Sequence, residues 1–127
     1  MYNLKFQIHF VHWNRTEYGS PNTAAGQGNG LAVLGIFIET SPSNEDHPEL
    51  AKLIPFLEKI THCGDKLNLT ETINPKNFLP KNGNGNSKRF WTYEGSLTTP
   101  PLLESVIWIL FQQPIKASEN QVNIFSN

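Results

Sequence analysis

The sequence predicts an α+β fold, mainly β, in which a sheet of mixed strand direction carries one or two short helices at its periphery. Two apolar runs, "LAVLGIFIE" (Leu31 to Glu39) and "SVIWILFQQPI" (Ser105 to Ile115), read as strands buried on both faces. A third run, Leu4 to Trp13, has the alternation of a strand with one covered face. Helical spacing is sustained only in "DHPELAKLIPFLEKI" (Asp46 to Ile60). Strands this few, long and far apart in sequence fit a single sheet with helices packed on it.

Taken in order, the first strand contains "FQIHFVHWN" (Phe6 to Asn14), with two histidines three residues apart. Successive strand side chains point to opposite faces, which sets Gln7, His9, Val11 and Trp13 against Phe6, Ile8, Phe10 and His12. The two histidines therefore cannot share one metal site. His12 continues an apolar row and is expected to be a hydrogen-bonded core histidine. His9 lies on the mixed face, where a polar partner and a cavity are both open; alone it is not a site, because zinc takes three or four protein ligands.

The stretch "YGSPNTAAGQGNG" (Tyr18 to Gly30) reads as a loop. In the second strand Gly35 marks the close approach of another backbone. The helix places Leu50, Leu53, Ile54, Leu57 and Ile60 on one side, with Asp46 and Glu49 as a capping box, Gly64 as a stop and Pro55 as an interruption. Asn68 to Ser87 is loop-like. "RFWTYEGSLTTPPLLE" (Arg89 to Glu104) passes from a strand into an irregular turn, and the last helix is announced by a capping box of Ser118 and Gln121, with Val122 and Phe125 as its apolar side.

Composition narrows the function. The 127 residues are 38% hydrophobic and 17% charged, with a net charge of -1. With Lys and Arg scattered along the chain, adjacent only at Lys88-Arg89, there is no electrostatic reason to expect nucleic acid or an anionic membrane. No apolar run approaches the roughly 18 to 20 residues that span a bilayer. The single Cys63 cannot form an internal disulfide. "NRT" at Asn14 and "NLT" at Asn68 are N-glycosylation tripeptides, compatible with secretion. There is no internal repeat or domain linker, and the first strand begins with almost no lead-in.

"FVHWN" (Phe10 to Asn14), "GLAVLGIF" (Gly30 to Phe37), "FLP" (Phe78 to Pro80), "WTYEGSLTTPPLLE" (Trp91 to Glu104) and "VIWILF" (Val106 to Phe111) resemble the alpha-class carbonic anhydrases in order and spacing. The resemblance covers nearly the whole chain. It implies a large twisted mixed sheet, here incomplete: residues 1–127 correspond to the C-terminal half of a catalytic domain, without the N-terminal half. It implies zinc (Zn2+) as cofactor, reversible hydration of carbon dioxide to bicarbonate by zinc hydroxide, a small-molecule substrate, no nucleic-acid partner and no membrane segment, and a protein that is monomeric at full length.

Residue by residue, the resemblance makes His9 the third zinc ligand and Gln7 the position of a glutamate that hydrogen-bonds that ligand's other nitrogen. Two ligands would come from an "HxH" strand that this chain lacks, and His47 and His62 lie in helical or loop segments. Thr98 would orient the zinc hydroxide and offer its backbone N–H to oxyanion charge, with Thr99 beside it at the product site. Val11, Val33, Leu97, Val106 and Trp108 would form the apolar wall of the substrate pocket, although the same residues also read as strand core. Pro100-Pro101 matches a cis bond. The expectation is that the chain by itself is inactive and holds no zinc at stoichiometric strength. The alternative is a noncatalytic carbonic-anhydrase-related binding domain, which the amide at position 7 keeps open. Leu102, where extracellular relatives often place a cysteine, favours a cytoplasmic location, and the two glycosylation tripeptides lean toward an extracellular one.

Overall fold

The computed structural model describes residues 4–82, 85–86 and 89–125. Its strands are β1 (Leu4–Trp13), β2 (Leu31–Thr40), β3 (Lys81–Asn82), β4 (Gly85–Asn86), β5 (Phe90–Gly95), β6 (Val106–Phe111) and β7 (Ile115–Ala117). The helices are α1 (Pro21–Ala25), α2 (Pro48–Leu57) and α3 (Glu119–Ile124), with a 3-10 turn at Pro75–Phe78. Five strands form one mixed sheet in the order β1-β2-β6-β5, with β7 continuing beside β2; β3 and β4 make a separate small hairpin. β1 runs antiparallel to β2, β6 and β7 run parallel to β2, and β5 runs antiparallel to β6. A parallel β2–β6 pair needs a long crossover, and α2 lies in that connection.

The pleat sorts the side chains into two apolar clusters. Phe6, Ile8 and Phe10 join Ile36, Ile38, Ile115 and Ala117 on one face, where Leu50 of α2, Phe78 and Val122 of α3 cover them. Leu31, Val33, Val106 and Trp108 pack on the other with Ala24, Trp13, Tyr18 and Leu97. β2 is central to both, which is why its sequence is apolar almost throughout.

Several expectations need correction. His12 is exposed and is no core residue: its Nδ1–H donates to the Phe10 carbonyl at 3.0 Å. The covering layer packs on Phe6, Ile8 and Phe10 and ends before position 12. At Gly35 the close neighbour is a side chain and not a backbone, since a Cβ there would lie 2.3 Å from Cδ2 of Leu110. The N-cap of α2 is His47 and not Asp46, with Nδ1 accepting from the Leu50 N–H at 3.3 Å. Burial lowers the His47 pKa, which keeps the ring neutral and Nδ1 an acceptor. The helix ends at Leu57, so Ile60 lies beyond it, and Gly64, with φ of +90°, belongs to a later turn. The capping box of α3 forms as the sequence predicts, and Gln121 also accepts from the His47 N–H at 2.8 Å, joining the two helices.

Glu49 gives up the expected cap for a better-satisfied position. Its Oε1 accepts from Lys52 Nζ at 2.7 Å and Asn77 Nδ2 at 2.8 Å, and its Oε2 from the Asn74 N–H at 3.2 Å. These hydrogen bonds, that from Lys52 first, hold its pKa down at about 2 against an ordinary 4.5. A depressed carboxylate contributes stability that is fully present above pH 4.5 and lost as pH falls through about 2. Glu49→Gln is therefore expected to flatten the pH dependence of stability across that window, as read from urea midpoints at successive pH values. An unchanged slope would contradict the assignment.

Candidate metal and substrate site

β1 turns Gln7 and His9 to the face away from α2 and α3. The His9 Nε2 lies 2.9 Å from Gln7 Oε1. An amide oxygen can only accept, so Nε2 carries the hydrogen and Nδ1 is left with its lone pair. Directly across the ladder is Gly35, which places no side chain beside the ring. From β6, Trp108 meets His9 edge to face, with ring centroids 4.9 Å apart. Partial burial lowers the His9 pKa, favouring the neutral imidazole, the form that binds metals.

An open hollow of 440 Å³ forms around these groups. Gln7 and His9 line it from β1, Tyr93 and Gly95 from β5, Trp108 and Leu110 from β6, and Ser96 and Thr98 from the turn after β5. Of the residues singled out in the sequence, the hollow thus gathers Gln7, His9, Thr98 and Trp108. Thr99 is exposed on the same turn without lining the hollow, and its carbonyl accepts from the Leu102 N–H at 2.9 Å. The Pro100-Pro101 bond that follows is cis. Val33 and Val106 are buried in the cluster around Trp108, and Leu97 packs against it. Val11 shares the face of His9 and is 60% exposed.

Tyr93, Gly95, Ser96 and Leu110 were not singled out in the sequence. The register supplies the missing signal: Tyr93 pairs with Trp108, Gly95 with Val106 and Leu110 with Gly35. A second hollow, of 530 Å³, lies around His47, Glu49 and Ile115, where the carboxylate and the Nδ1 of the histidine are already engaged.

His9 suits zinc in kind: a neutral imidazole with one nitrogen held and the other bare. In number it is one donor. No group of three or more His, Cys, Asp or Glu side chains able to hold a metal occurs among the described residues. His12 is on the opposite row of β1, His47 caps α2, and His62 sits in an exposed turn next to Asp65.

The family model of eukaryotic-type carbonic anhydrases matches residues 2–127. The chain is similar to carbonic anhydrase 7 of Homo sapiens, 42% identical over 119 residues, a match covering 94% of this chain and 42% of that protein. Against carbonic anhydrase 7 of Mus musculus the identity is 41%, with the same coverage. Against mitochondrial carbonic anhydrase 5B of Rattus norvegicus it is 40%, covering 35% of that protein. The chain therefore spans well under half the length of these relatives. A match over nearly every residue, joined to this sheet and the ordered motifs from Phe10 to Phe111, shows that the chain belongs to the eukaryotic-type carbonic anhydrase family.

Proposed function

We propose that this chain is part of a zinc-dependent carbonic anhydrase catalytic domain, to which it contributes one metal ligand and the substrate-orienting turn. The observation that carries the reading is His9: its Nε2 is tied to Gln7, its Nδ1 has no hydrogen-bond partner among the described residues, and it shares a hollow with Thr98. The two further imidazoles that zinc needs would come from polypeptide outside these residues. Zinc, when bound, supplies the Lewis-acid charge that makes water a nucleophile at neutral pH.

The chain's own residues have separable tasks. Gln7 fixes the ring tautomer of His9 so that Nδ1 keeps the lone pair with which it would hold the metal. The Thr98 hydroxyl orients the attacking oxygen by accepting its hydrogen, and its backbone N–H offsets charge developing on the substrate. Thr99 sits beside the product. A nonpolar substrate such as carbon dioxide needs an apolar wall; Trp108, Leu97 and Val11 supply it, with Val33 and Val106 packed beneath. Catalysis is tested by loss of oxygen-18 from labelled carbon dioxide. In a full-length domain that carries the other two imidazoles, activity abolished by His9→Ala supports the reading, and activity that survives the substitution contradicts it.

Gln7 favours a second reading, that of a binding domain without catalysis. A neutral amide makes His9 a weaker donor than a carboxylate would, and changes of this kind cost about 10 to 100-fold in metal affinity or activity. In a full-length version, Gln7→Glu is expected to tighten zinc binding by about that factor in a chelator competition. Equal constants for the two versions would refute this role of position 7.

A further inference from the structure

The indole of Trp108 reaches both halves of the candidate site. It packs against the His9 ring in a T-shaped arrangement, and its Nε1–H donates to the Ser96 carbonyl at 3.1 Å. Ser96 stands two residues before Thr98. Tyr93 stacks on the indole from β5, with centroids 6.5 Å apart and planes 17° from parallel. Gly95 leaves the space the indole occupies, because a Cβ there would lie 2.9 Å from Trp108 Cδ1 and 3.2 Å from Nε1. With only 6% of its surface exposed, Trp108 has little freedom to reorient.

We propose that Trp108 is a positioning residue: a strut that holds the turn carrying Thr98 at a fixed place relative to His9. An apolar wall needs only bulk and would not need the indole N–H. The turn has few other ties. Among the described residues, two backbone bonds lie within the turn, Leu97 N–H to the Leu103 carbonyl and Leu102 N–H to the Thr99 carbonyl, each at 2.9 Å, and at its far end the Ser105 carbonyl accepts from the Leu31 N–H of β2 at 3.1 Å. The bond from Trp108 ties the Thr98 side of this segment, at Ser96, to β6, while the Leu31–Ser105 bond holds its other end to β2. Hydrogen bonding from a buried indole also suits a fixed scaffold, since leaving the donor unpaired there would carry a desolvation cost. The proposal rests on reading His9 and Thr98 as parts of one site.

The test is amide and indole hydrogen exchange by NMR on the 127-residue chain without metal, so that its outcome does not depend on zinc or catalysis. The Trp108 indole N–H is expected to exchange at least about tenfold more slowly than that of Trp91, whose side chain is 53% exposed. Trp108→Phe keeps a ring beside His9 and deletes the donor. It is expected to speed exchange of the Leu97 amide about tenfold, the scale of one lost hydrogen bond, while Ile36 and Ile38 amides stay within about twofold. Gly95→Ala, which pushes the indole from outside, should reproduce the same local pattern. Uniform acceleration across the sheet, or no change at Leu97, would overturn the strut, as would a Trp108 indole that exchanges as fast as Trp91. If the local pattern holds and His9→Ala leaves carbon dioxide hydration intact, the strut stands and the assignment of His9 falls.

Discussion

In a zinc-loaded full-length domain, His9→Ala is expected to lower zinc affinity by about three orders of magnitude or more. Structural zinc in zinc-finger peptides is bound with roughly 10 to 16 kcal/mol, and on that scale the loss of one of three imidazoles removes several kilocalories. Chelator competition measures the loss directly. The same reasoning sets the expectation for the 127 residues by themselves. With one bare imidazole nitrogen at the hollow and no cluster of three donors among the described residues, zinc should be stripped by a weak chelator. Affinity in His9→Ala within a factor of a few of the parent would mean that the metal is held elsewhere.

Thr98→Ala should separate chemistry from binding. Thr98 lines the hollow without being a metal donor, so zinc affinity is expected to stay within a few-fold of the parent. Turnover should drop by about 10²- to 10³-fold, the usual cost of removing a group that steadies developing charge. Thr99→Ala, at a neighbour that does not line the hollow, should cost less. A Thr98→Ala protein that hydrates carbon dioxide at the parental rate would show that the turn has no part in the reaction.

Much of the fold was legible because the strands are long and their burial is simple. β1 occupies Leu4–Trp13 and β2 begins at Leu31, where the apolar patterns place them. The capping box of Ser118 and Gln121 was readable because both halves lie within one turn of sequence. α1 escaped notice: five residues are too few for a period, although Ser20 followed by Pro21 is a start signal in hindsight. At α2 the sequence preference for an Asp cap lost to tertiary packing. His47 is held by stacking on Phe78, with centroids 5.4 Å apart, and by Gln121 from α3, neither of which a local pattern contains.

The site divides in the same way. Alternation alone separated His9 from His12, and that separation holds. The fate of His12 depended on how far the helical layer extends over β1, which is not a property of β1. Tyr93 and Leu110 belong to the hollow through the register of β5, β6 and β2, and register between distant segments cannot be read from one sequence. The roles of Thr98 and Thr99 came from the family resemblance, since two threonines before a proline pair are otherwise ordinary turn residues.

X-ray absorption at the zinc edge, recorded on a metal-loaded full-length domain and on its His9→Ala variant, bears most directly on the central assignment. The assignment predicts three imidazole nitrogens at about 2.0 to 2.1 Å in the parent and two in the variant. An identical first coordination shell in both would show that His9 is not a ligand.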